Sequence, residues 1–385
     1  MDFADTQEQA MLREAVARIA AKYGHDYYHA KARGGGRLSE LWQDVAAAGF
    51  VGVSIPEPYG GGGMGISELA IVAEELAAHG CPLLLLMVSP AICGTILARY
   101  GTPEQRQRWL PGMASGESKL VFAITEPDAG SNTHRLSTVA ERDGQDWRIR
   151  GTKHFISGVD EAQAVLVVAR TGVDQASGRG RLSLFIVDTD APGLGRTRIP
   201  MEISAPEQQY VLFFDEVTVP AERLVGSEGE GLRQVFLGLN PERIIAAAGA
   251  NGTARYALDK AVAYAGQRRV WDTPIGAHQG IAHPLAAAKI EVELARLATQ
   301  KAAWAHDTGQ RDAGEVANMA KYAAAEACLH ALDAAIQTHG GNAFASEYGL
   351  ADLWGVSRVL RTAPVSREMI LNFIAEHSLG LPRSY

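Results

Sequence analysis

The sequence predicts an α+β protein with three parts: an N-terminal α-helical domain, a middle antiparallel β-barrel or sandwich, and a C-terminal four-helix bundle. Two changes of pattern support this division. Apolar residues recur at helical spacing up to about residue 120, alternate with period two up to about residue 230, and then return to helical spacing in long Ala-rich segments. The 385 residues suffice for two or three domains, and we expect boundaries at 1–119, 120–230 and 231–385.

Helical spacing in the N-terminal part begins after Thr6, which is followed by Gln9 in the pattern of a capping box. Thr102, with Pro103 and Glu104, is a second cap. Glycines at 34–36 indicate a flexible joint, and the Pro- and Gly-rich stretch 49–64 indicates a long loop. The predicted helices cover 6–30, 39–48, 67–79 and 83–100, with a further helix starting after Thr102.

The middle part shows short alternating segments separated by Asp-Gly, Ser-Gly and Pro-Gly turns. The predicted strands cover 136–140, 147–150, 164–169, 182–187, 196–199 and 210–217. Several short strands at such intervals are typical of a small antiparallel barrel or sandwich.

The C-terminal part contains segments of about 25 residues with few helix breakers, which are typical of a four-helix bundle. Pro241 is expected to end one helix and to leave Glu242 in the first turn of the next, because proline lacks an N–H group. The predicted helices cover 232–239, 242–268, 278–308, 312–338 and 364–379.

Composition excludes several classes of protein. A formal charge of −8 argues against a nucleic-acid partner, which selects basic surfaces. Three cysteines without a C-x-x-C pair predict no disulfide framework and a reducing, cytoplasmic location. No signal or transit peptide is recognisable, and the most apolar run, 81–88, is shorter than the roughly 20 residues that span a bilayer. The eleven histidines show no metal-ligand spacing, so no metal is predicted.

Two neighbouring segments form the most informative stretch of the chain. The first runs Phe-Ala-Ile-Thr-Glu-Pro-Asp-Ala-Gly-Ser-Asn over 122–132, and the second runs Gly-Thr-Lys-His-Phe-Ile-Ser-Gly over 151–158. Together they offer backbone N–H groups and the hydroxyls of Thr125, Ser131 and Ser157 to one anionic or heteroaromatic molecule. Taken without context, Thr125 and Ser131 are more often turn or cap hydroxyls, and Phe155 is more often a core residue.

Five motifs in this order resemble those of the acyl-CoA dehydrogenase family. They are Pro-Glu-Pro-Tyr-Gly-Gly at 56–61, Thr-Pro-Glu-Gln-Arg at 102–106 leading to Trp-Leu-Pro at 109–111, Thr-Glu-Pro-Asp-Ala-Gly-Ser at 125–131, Gly-Thr-Lys-His-Phe-Ile-Ser at 151–157 and Gln-Thr-His-Gly-Gly at 337–341. The resemblance implies FAD as cofactor, an acyl-CoA substrate and electron-transfer flavoprotein as electron acceptor. It also implies a homotetramer, with a homodimer or heterotetramer left open.

The resemblance assigns cofactor contacts residue by residue. Thr125 matches the hydroxyl at the flavin pyrimidine edge, and Ser131 the hydroxyl near the FAD pyrophosphate and CoA. Phe155 stands where the family usually has Trp, and Ser157 replaces the usual Thr. The other implied cofactor contacts are Phe122, Ile124, Gly130, Arg268, Trp271, Gln337, Gly340, Gly341 and Ser366.

Arg268 and Trp271 resemble an Arg-x-x-Phe segment that a neighbouring subunit extends to the FAD pyrophosphate. An assignment to Arg269 stays open, since the two arginines are adjacent, and Arg268 taken alone reads as a solvated charge at a helix end. Gln337, Gly340 and Gly341 resemble the loop along the adenosine half, where glycine permits the backbone to approach a phosphate closely.

The family reaction needs a carboxylate that removes the α-proton of the acyl thioester. Many members carry this Glu in the turn before the last helix, but the matching position here is Ala363 or Pro364, and no Asp or Glu lies between Asp352 and Glu368. If Pro364 holds that position, the backbone N–H that polarises the thioester carbonyl is lost, whereas Ala363 would retain it.

A second group of members carries the Glu on a bundle helix just before an Arg, and the segment 239–244 resembles that pattern. Glu242 is therefore the predicted base, with Asn240, Arg243 and Ser131 as substrate contacts. The structural alternative is a first-turn acid that complements the helix dipole, which would lower the pKa that catalysis needs raised.

The sequence thus predicts an FAD-dependent acyl-CoA dehydrogenase that forms the trans-2-enoyl thioester. Two alternatives stay open. One is a non-catalytic FAD-holding subunit of a hetero-oligomer, consistent with the altered C-terminal turn. The other is a flavin oxidase or monooxygenase on the same fold. An acid at position 242 favours the dehydrogenase.

Overall fold

A computed structural model describes residues 4–383. An N-terminal group of helices, a middle β-sheet and a C-terminal helical bundle follow one another along the chain, as predicted. The N-terminal helices are α1 (Gln7–Ala20), α2 (Gly24–Gly34), α3 (Ser39–Ala47), α4 (Ile66–Ala78), α5 (Leu84–Leu86), α6 (Thr95–Tyr100) and α7 (Pro103–Ala114). The caps predicted at Thr6 and Thr102 are both formed, each as a capping box, with Gln9 and Gln105 respectively.

The first predicted helix, over residues 6–30, is wrong in one respect, because the structure divides it into α1 and α2. The division falls at Gly24, whose φ of 65° lies in the left-handed region that only glycine adopts at no steric cost. A purely periodic pattern does not report such a change of direction, because the apolar spacing continues through it.

The segment predicted as one apolar helix, 83–100, contains a π-helical stretch, Met87–Gly94, between α5 and α6. Pro90 lies inside this stretch and has no N–H to donate to the preceding turn. Short π-helical turns inside α-helices frequently occur at functional sites. The stretch is fully covered apart from Met87, and it packs against the C-terminal bundle.

The middle part forms one eight-stranded sheet in the order β6-β7-β3-β2-β4-β5-β8, with β1 paired to β4. Most pairings are antiparallel as predicted, whereas β1 and β2 each run parallel to β4. The strands are β1 (Leu120–Ala123), β2 (Val139–Asp143), β3 (Asp146–Ser157), β4 (Ala164–Val173), β5 (Gly180–Asp188), β6 (Leu194–Ile199), β7 (Gln209–Val219) and β8 (Leu224–Val225). Strand β3 is much longer than predicted and includes all of the second motif segment except Gly158.

The C-terminal part is built on three long helices, and a small hairpin separates the first two. These elements are α8 (Gly231–Gln267), β9 (Arg269–Val270), β10 (Thr273–Pro274), α9 (Gln279–Asp307), α10 (Ala313–His339), α11 (Ala351–Val359) and α12 (Arg367–Phe373), followed by a π-helical turn, Ile374–Ser378. Helix α4 of the N-terminal part packs on α8 and completes the four-helix arrangement.

The predicted break at Pro241 is wrong, because α8 continues through this residue as one helix of 37 residues. A proline inside a helix forfeits one backbone hydrogen bond and costs about 3 kcal/mol. Burial of α8 on several sides offsets that cost, since α4, α9, α10 and the π-helical stretch all pack against it. Glu242 is therefore the twelfth residue of α8, in its fourth turn and away from the helix N-terminus.

Close packing between α4 and α8 depends on a buried charge cluster and on small residues. Glu74 and Glu75 of α4 bind Arg13, Arg255 and Arg296, which come from three different helices, at 2.6–2.7 Å. A cluster whose members are all paired avoids the large cost of burying an isolated charge.

A second polar group joins α2 to α11. His25 and His29 both hydrogen-bond to Oδ2 of Asp352, at 2.8 and 2.9 Å, and His25 also bonds to the carbonyl of Gly80. These three side chains lie within 4.8 Å of one another by their ligand atoms, although the histidines show no metal-ligand spacing along the sequence. Their mutual hydrogen bonds give them a structural role in tying the N-terminal helices to the bundle.

Replacement of Gly252 by Ala tests the close approach of α8 to α4. A Cβ atom at this position would overlap the backbone carbonyl of Glu74, so we expect a loss of about 1–3 kcal/mol in unfolding free energy. Gly249 is the matched control on the same helix, since no atom lies within 4 Å of its Cβ position. Gly249→Ala should gain about 0.5–1 kcal/mol. Urea unfolding measures both, and equal effects would contradict the packing.

Candidate active site

The two motif segments of the middle domain are joined by direct hydrogen bonds. The carbonyl of Thr125 accepts a hydrogen bond from the backbone N–H of His154 at 2.8 Å. Glu126 and Ala129 close a tight turn with two backbone hydrogen bonds, at 3.1 and 3.2 Å. This turn leaves Gly130 and Ser131 exposed at the surface, directly beside β3.

A buried ion pair between Glu126 and Lys153 holds the two segments together. The side chain of Lys153 is 0% exposed, and its ammonium donates to Glu126 at 2.8 Å and to the carbonyl of Ile124 at 3.0 Å. The other hydrogen bonds to the Glu126 carboxylate come from the backbone N–H groups of Ser137 and Thr138 and from the hydroxyl of Ser137. Glu126 lies in the first motif and Lys153 in the second, but neither is among the residues predicted from the sequence to be functional.

The electrostatics of this pair keep both groups charged at neutral pH. Burial acts to raise the pKa of Glu126, but the charge of Lys153 and the donated hydrogen bonds outweigh it and lower that pKa to about 2. Burial lowers the pKa of Lys153 to about 8, against the attraction of Glu126. A buried pair with all its oxygens satisfied is a rigid connection, because breaking it leaves an uncompensated charge.

The expectation that Phe155 alone would be a core residue is wrong. Strand β3 bulges between Lys153 and Ile156, and Phe155 takes a φ of 57° that an aromatic residue rarely adopts. The bulge turns the ring outward, so that the side chain is 51% exposed beside His154. An exposed aromatic ring on a strained backbone is typical of a ligand-binding position.

The hydroxyls assigned to the cofactor differ in their surroundings. Thr125 is half-buried and Ser131 is exposed, and neither side chain makes a hydrogen bond within residues 4–383, so they serve as neither turn nor cap hydroxyls there. Ser157 donates to Oε1 of Gln209 on β7 at 3.0 Å. Phe122 lies buried in β1 and Ile124 is half-buried.

The hairpin β9–β10 carries Trp271 at its tip, where Trp271 and Asp272 have positive φ values of 48° and 60°. Trp271 is 87% exposed and therefore points away from its own subunit. Arg269 donates to the carbonyl of Asp272 at 2.7 Å and so stabilises the hairpin itself. The side chain of Arg268 makes no such bond in the described chain, which favours Arg268 as the ligand-directed arginine.

The loop predicted for the adenosine half follows the end of α10. Gly340 has a φ of 58°, and the Cβ positions of Gly340 and Gly341 have no atom within 4 Å. Gln337 is exposed in a groove between α9 and α10. Within residues 4–383 no hydrogen bond joins this loop or the hairpin to segments 122–132 and 151–158, so one chain leaves the predicted contacts in separate places.

Glu242 is half-buried on α8 among positively charged groups. Burial raises the pKa of Glu242 to about 7, although the charges of Arg243 and Lys321 oppose the rise. Arg243 is buried and donates to Oδ1 of Asn240 at 2.9 Å. The negative charge of Glu242 also adds to the effect of burial in raising the pKa of the Cys93 thiol, which places the π-helical stretch beside it.

The turn between α11 and α12 is fixed by α10. Lys321 donates to the carbonyl of Val365 at 2.6 Å, and Ser366 caps α12 by accepting from the N–H of Met369 at 3.2 Å. The N–H of Ala363 donates to the carbonyl of Val359 at 2.8 Å, and Pro364 has no N–H. Whichever of the two residues holds the family position, neither therefore offers a free N–H to a thioester carbonyl in this structure.

The residues at these places fit a bound flavin dinucleotide. Free hydroxyls, an outward aromatic ring and an exposed Gly-Ser backbone converge at segments 122–132 and 151–158, and a Gly-Gly backbone lies open at the end of α10. The half-buried carboxylate of Glu242 is the group suited to proton removal.

Comparison with known proteins identifies the class. The model of the acyl-CoA dehydrogenase N-terminal domain matches residues 6–117, that of the middle domain 121–217 and that of the C-terminal domain 229–379. Acyl-CoA dehydrogenase FadE12 of Mycobacterium tuberculosis is 56% identical over 384 residues, covering 100% of this chain and 99% of its own length.

Two solved structures share the fold. The glutaryl-coenzyme A dehydrogenase glutaryl-CoA complex has a TM-score of 0.94 at 33% identity, and the alignment covers 100% of this chain and 98% of that one. The FAD complex of PigA has a TM-score of 0.91 at 26% identity, with 99% and 100% coverage.

The fold and the site therefore define a flavin-dependent oxidoreductase. The chain belongs to the acyl-CoA dehydrogenase family, whose cofactor is FAD. Its relative FadE12 is named an acyl-CoA dehydrogenase, which argues against a purely non-catalytic subunit. No helix among the described residues is long and apolar enough to cross a membrane.

Replacement of Lys153 by Met tests the buried ion pair that joins segments 122–132 and 151–158. Leaving Glu126 unpaired should cost about 3–5 kcal/mol in unfolding free energy and lower the FAD retained on purification. The surface pair of Lys289 and Glu293 is the control, where Lys289→Met should cost about 0–1 kcal/mol. Urea unfolding and the flavin absorbance of the purified protein measure both effects. Full FAD content in a stable Lys153→Met variant would contradict the role given to this pair.

Proposed function

We propose that this protein oxidises an acyl-CoA thioester to its trans-2-enoyl product, with Glu242 as the base that removes the α-proton. The observation that carries the proposal is the carboxylate of Glu242, half-buried on a continuous helix and raised in pKa to about 7. A general base works best when its pKa lies near the operating pH, and burial supplies that shift here.

The position of Glu242 inside α8 strengthens this assignment. A first-turn position would have placed the carboxylate at the positive end of the helix dipole, which lowers a carboxyl pKa and is often purely structural. Because α8 continues through Pro241, this alternative loses its basis. No Asp or Glu between Asp352 and Glu368 offers a competing base in the C-terminal turn.

The chain would hold the cofactor from two directions. The contacts proposed from the middle domain are the hydroxyls of Thr125, Ser131 and Ser157 and the ring face of Phe155. The other contacts proposed for this side of the cofactor are Phe122, Ile124, Gly130 and Ser366. Bound FAD supplies the acceptor for the hydride that leaves the β-carbon of the substrate. The outward direction of Trp271 supports a contribution of Arg268, Trp271, Gln337, Gly340 and Gly341 from a neighbouring subunit, in a homotetramer.

Asn240 and Arg243 are proposed to lie next to the thioester end of the substrate, with Ser131 toward the CoA. Arg243 has no carboxylate within 4 Å among the described residues, although its side chain is buried. A buried guanidinium retains donors for an acceptor such as a thioester or pantetheine carbonyl. Its hydrogen bond to Asn240 fixes the orientation of both side chains.

Family membership supports electron-transfer flavoprotein as the electron acceptor. The flavin oxidase or monooxygenase is the competing chemistry on this fold. Anaerobic reduction by an acyl-CoA followed by rapid reoxidation by electron-transfer flavoprotein supports the dehydrogenase. Hydrogen peroxide formed at turnover rates without that acceptor would support the oxidase instead.

Replacement of Glu242 by Gln tests the base directly. FAD content should stay at the level of the unchanged protein, while bleaching of the flavin by a panel of acyl-CoA thioesters should fall by at least about 10²–10⁴-fold. Glu207→Gln is the matched control, because burial also raises the pKa of Glu207 to about 7, in the loop after β6. Normal bleaching in the Glu242→Gln variant would disprove the assignment.

The pH dependence of flavin reduction gives an independent test. Glu242 must be ionised to accept a proton, so kcat/KM should rise with pH and level off above the pKa of about 7. Stopped-flow reduction over pH 5.5–9 with an acyl-CoA measures this limb, which should persist in Glu207→Gln. A rate that is flat across this range would show that another group sets the proton transfer.

A further inference from the structure

Lys321 is a buried cation on α10 that has no ion-pair partner within 4 Å among the described residues. Lys321 is 2% exposed, and within residues 4–383 the one hydrogen bond of its ammonium is the donation to the carbonyl of Val365 at 2.6 Å. Lysine is almost never so deeply buried without an anionic partner, and an ammonium group has three N–H donors. Two donors and the full charge are therefore unmatched by any close contact.

The charge of Lys321 acts on the proposed base. Helix α10, which carries Lys321, packs along α8, which carries Glu242. The positive charge of Lys321 opposes the rise in the pKa of Glu242 and so favours its ionised form. Burial and the charge of Arg243 lower the pKa of Lys321 to about 8, which leaves its ammonium charged at neutral pH. The surroundings of these two groups include Arg243 on α8, Cys93 in the π-helical stretch, Glu326 on α10 and Glu368 on α12.

The same side chain fixes the turn at residues 360–366. Lys321 binds Val365, and Glu326, about one and a half turns later on α10, pairs with Arg361 and with Arg367 of α12. Two residues of one helix thus hold both ends of the turn in which Ser366 is a predicted cofactor contact.

We propose that Lys321 is a positioning residue of the active site: it locks the 360–366 turn onto α10 and keeps a positive charge beside Glu242. The inference rests on the proposed function of Glu242 as the base. Lys321 favours the carboxylate form that accepts a proton, while burial favours the carboxylic acid. The balance between these two effects keeps the pKa of the base near neutral pH.

Lys321→Gln is the sharpest test, because the amide retains a donor for Val365 but has no charge. Loss of the charge should shift the pH limb of flavin reduction upward by about one pH unit. Lys321→Arg retains the charge and should leave the limb within about 0.3 units of its original position. A purely structural role would lower stability or FAD content in both variants without moving the limb in either.

Lys260→Met is the matched control. Lys260 also donates its ammonium to a backbone carbonyl at 2.6 Å, that of Tyr348, but it lies 18 residues beyond Glu242 on α8, or roughly 27 Å along the helix. The pH limb should not move in this variant. An equal shift there would overturn the inference, since any loss of a lysine would then have the same effect.

A second measurement needs no turnover. As the pH rises, the urea midpoint of the parent should fall relative to that of Glu242→Gln, because the pKa of Glu242 is higher in the folded than in the unfolded protein. The fall should level off at the pKa of Glu242 in the folded protein. In the Lys321→Gln background this levelling-off should move upward by about one pH unit. An unchanged position overturns the inference whether or not the protein turns over. If no acyl-CoA bleaches the flavin but the pH of this levelling-off still shifts, the proposed function has failed, whereas the effect of Lys321 on Glu242 has been found.

Discussion

The unbroken course of α8 is the constraint on which the rest of the molecule depends. This helix contacts α4, α9, α10 and the π-helical stretch, and it carries Glu242 at the site and Arg255 in the charge cluster. Continuity through Pro241 forfeits a hydrogen bond, and packing on several sides offsets that loss. If α8 broke at this proline, Glu242 would sit at a helix start, where the dipole lowers the pKa of a carboxylate.

Buried charges organise the two halves of the site in different ways. Glu126 and Lys153 neutralise each other and make a rigid support for the flavin segments. Around Glu242 the charges are not closely paired, since Arg243 and Lys321 have no carboxylate within 4 Å in the described chain. A fully paired group stabilises structure, whereas an unpaired and desolvated group retains the capacity to change protonation state or to bind a ligand. This contrast distinguishes the charged residues that support the fold from those that are proposed to act in catalysis.

Within one chain, the groups predicted to hold the cofactor lie in separate places among the described residues. Trp271 is exposed at the tip of its hairpin and the backbone at Gly340 is open, and no hydrogen bond among the described residues joins either to the segments at 122–132 and 151–158. Exposed aromatic and glycine positions of this kind are costly without a partner, because apolar surface remains in water. The proposed homotetramer would bring these groups from a neighbouring subunit to the flavin and would cover the exposed ring.

The sequence alone determined the order of the three parts, the capping of α1 and α7 and the family motifs, and it is the basis for proposing Glu242 rather than a residue of the C-terminal turn. These features are local, because periodicity, cap residues and motif spacing are properties of neighbouring residues. Only the tertiary structure decided that α8 passes through Pro241, that the Phe155 ring turns outward, and that Lys321 reaches Val365. Those outcomes depend on burial and on contacts between residues distant in sequence, which outweigh local propensity when the packing is extensive.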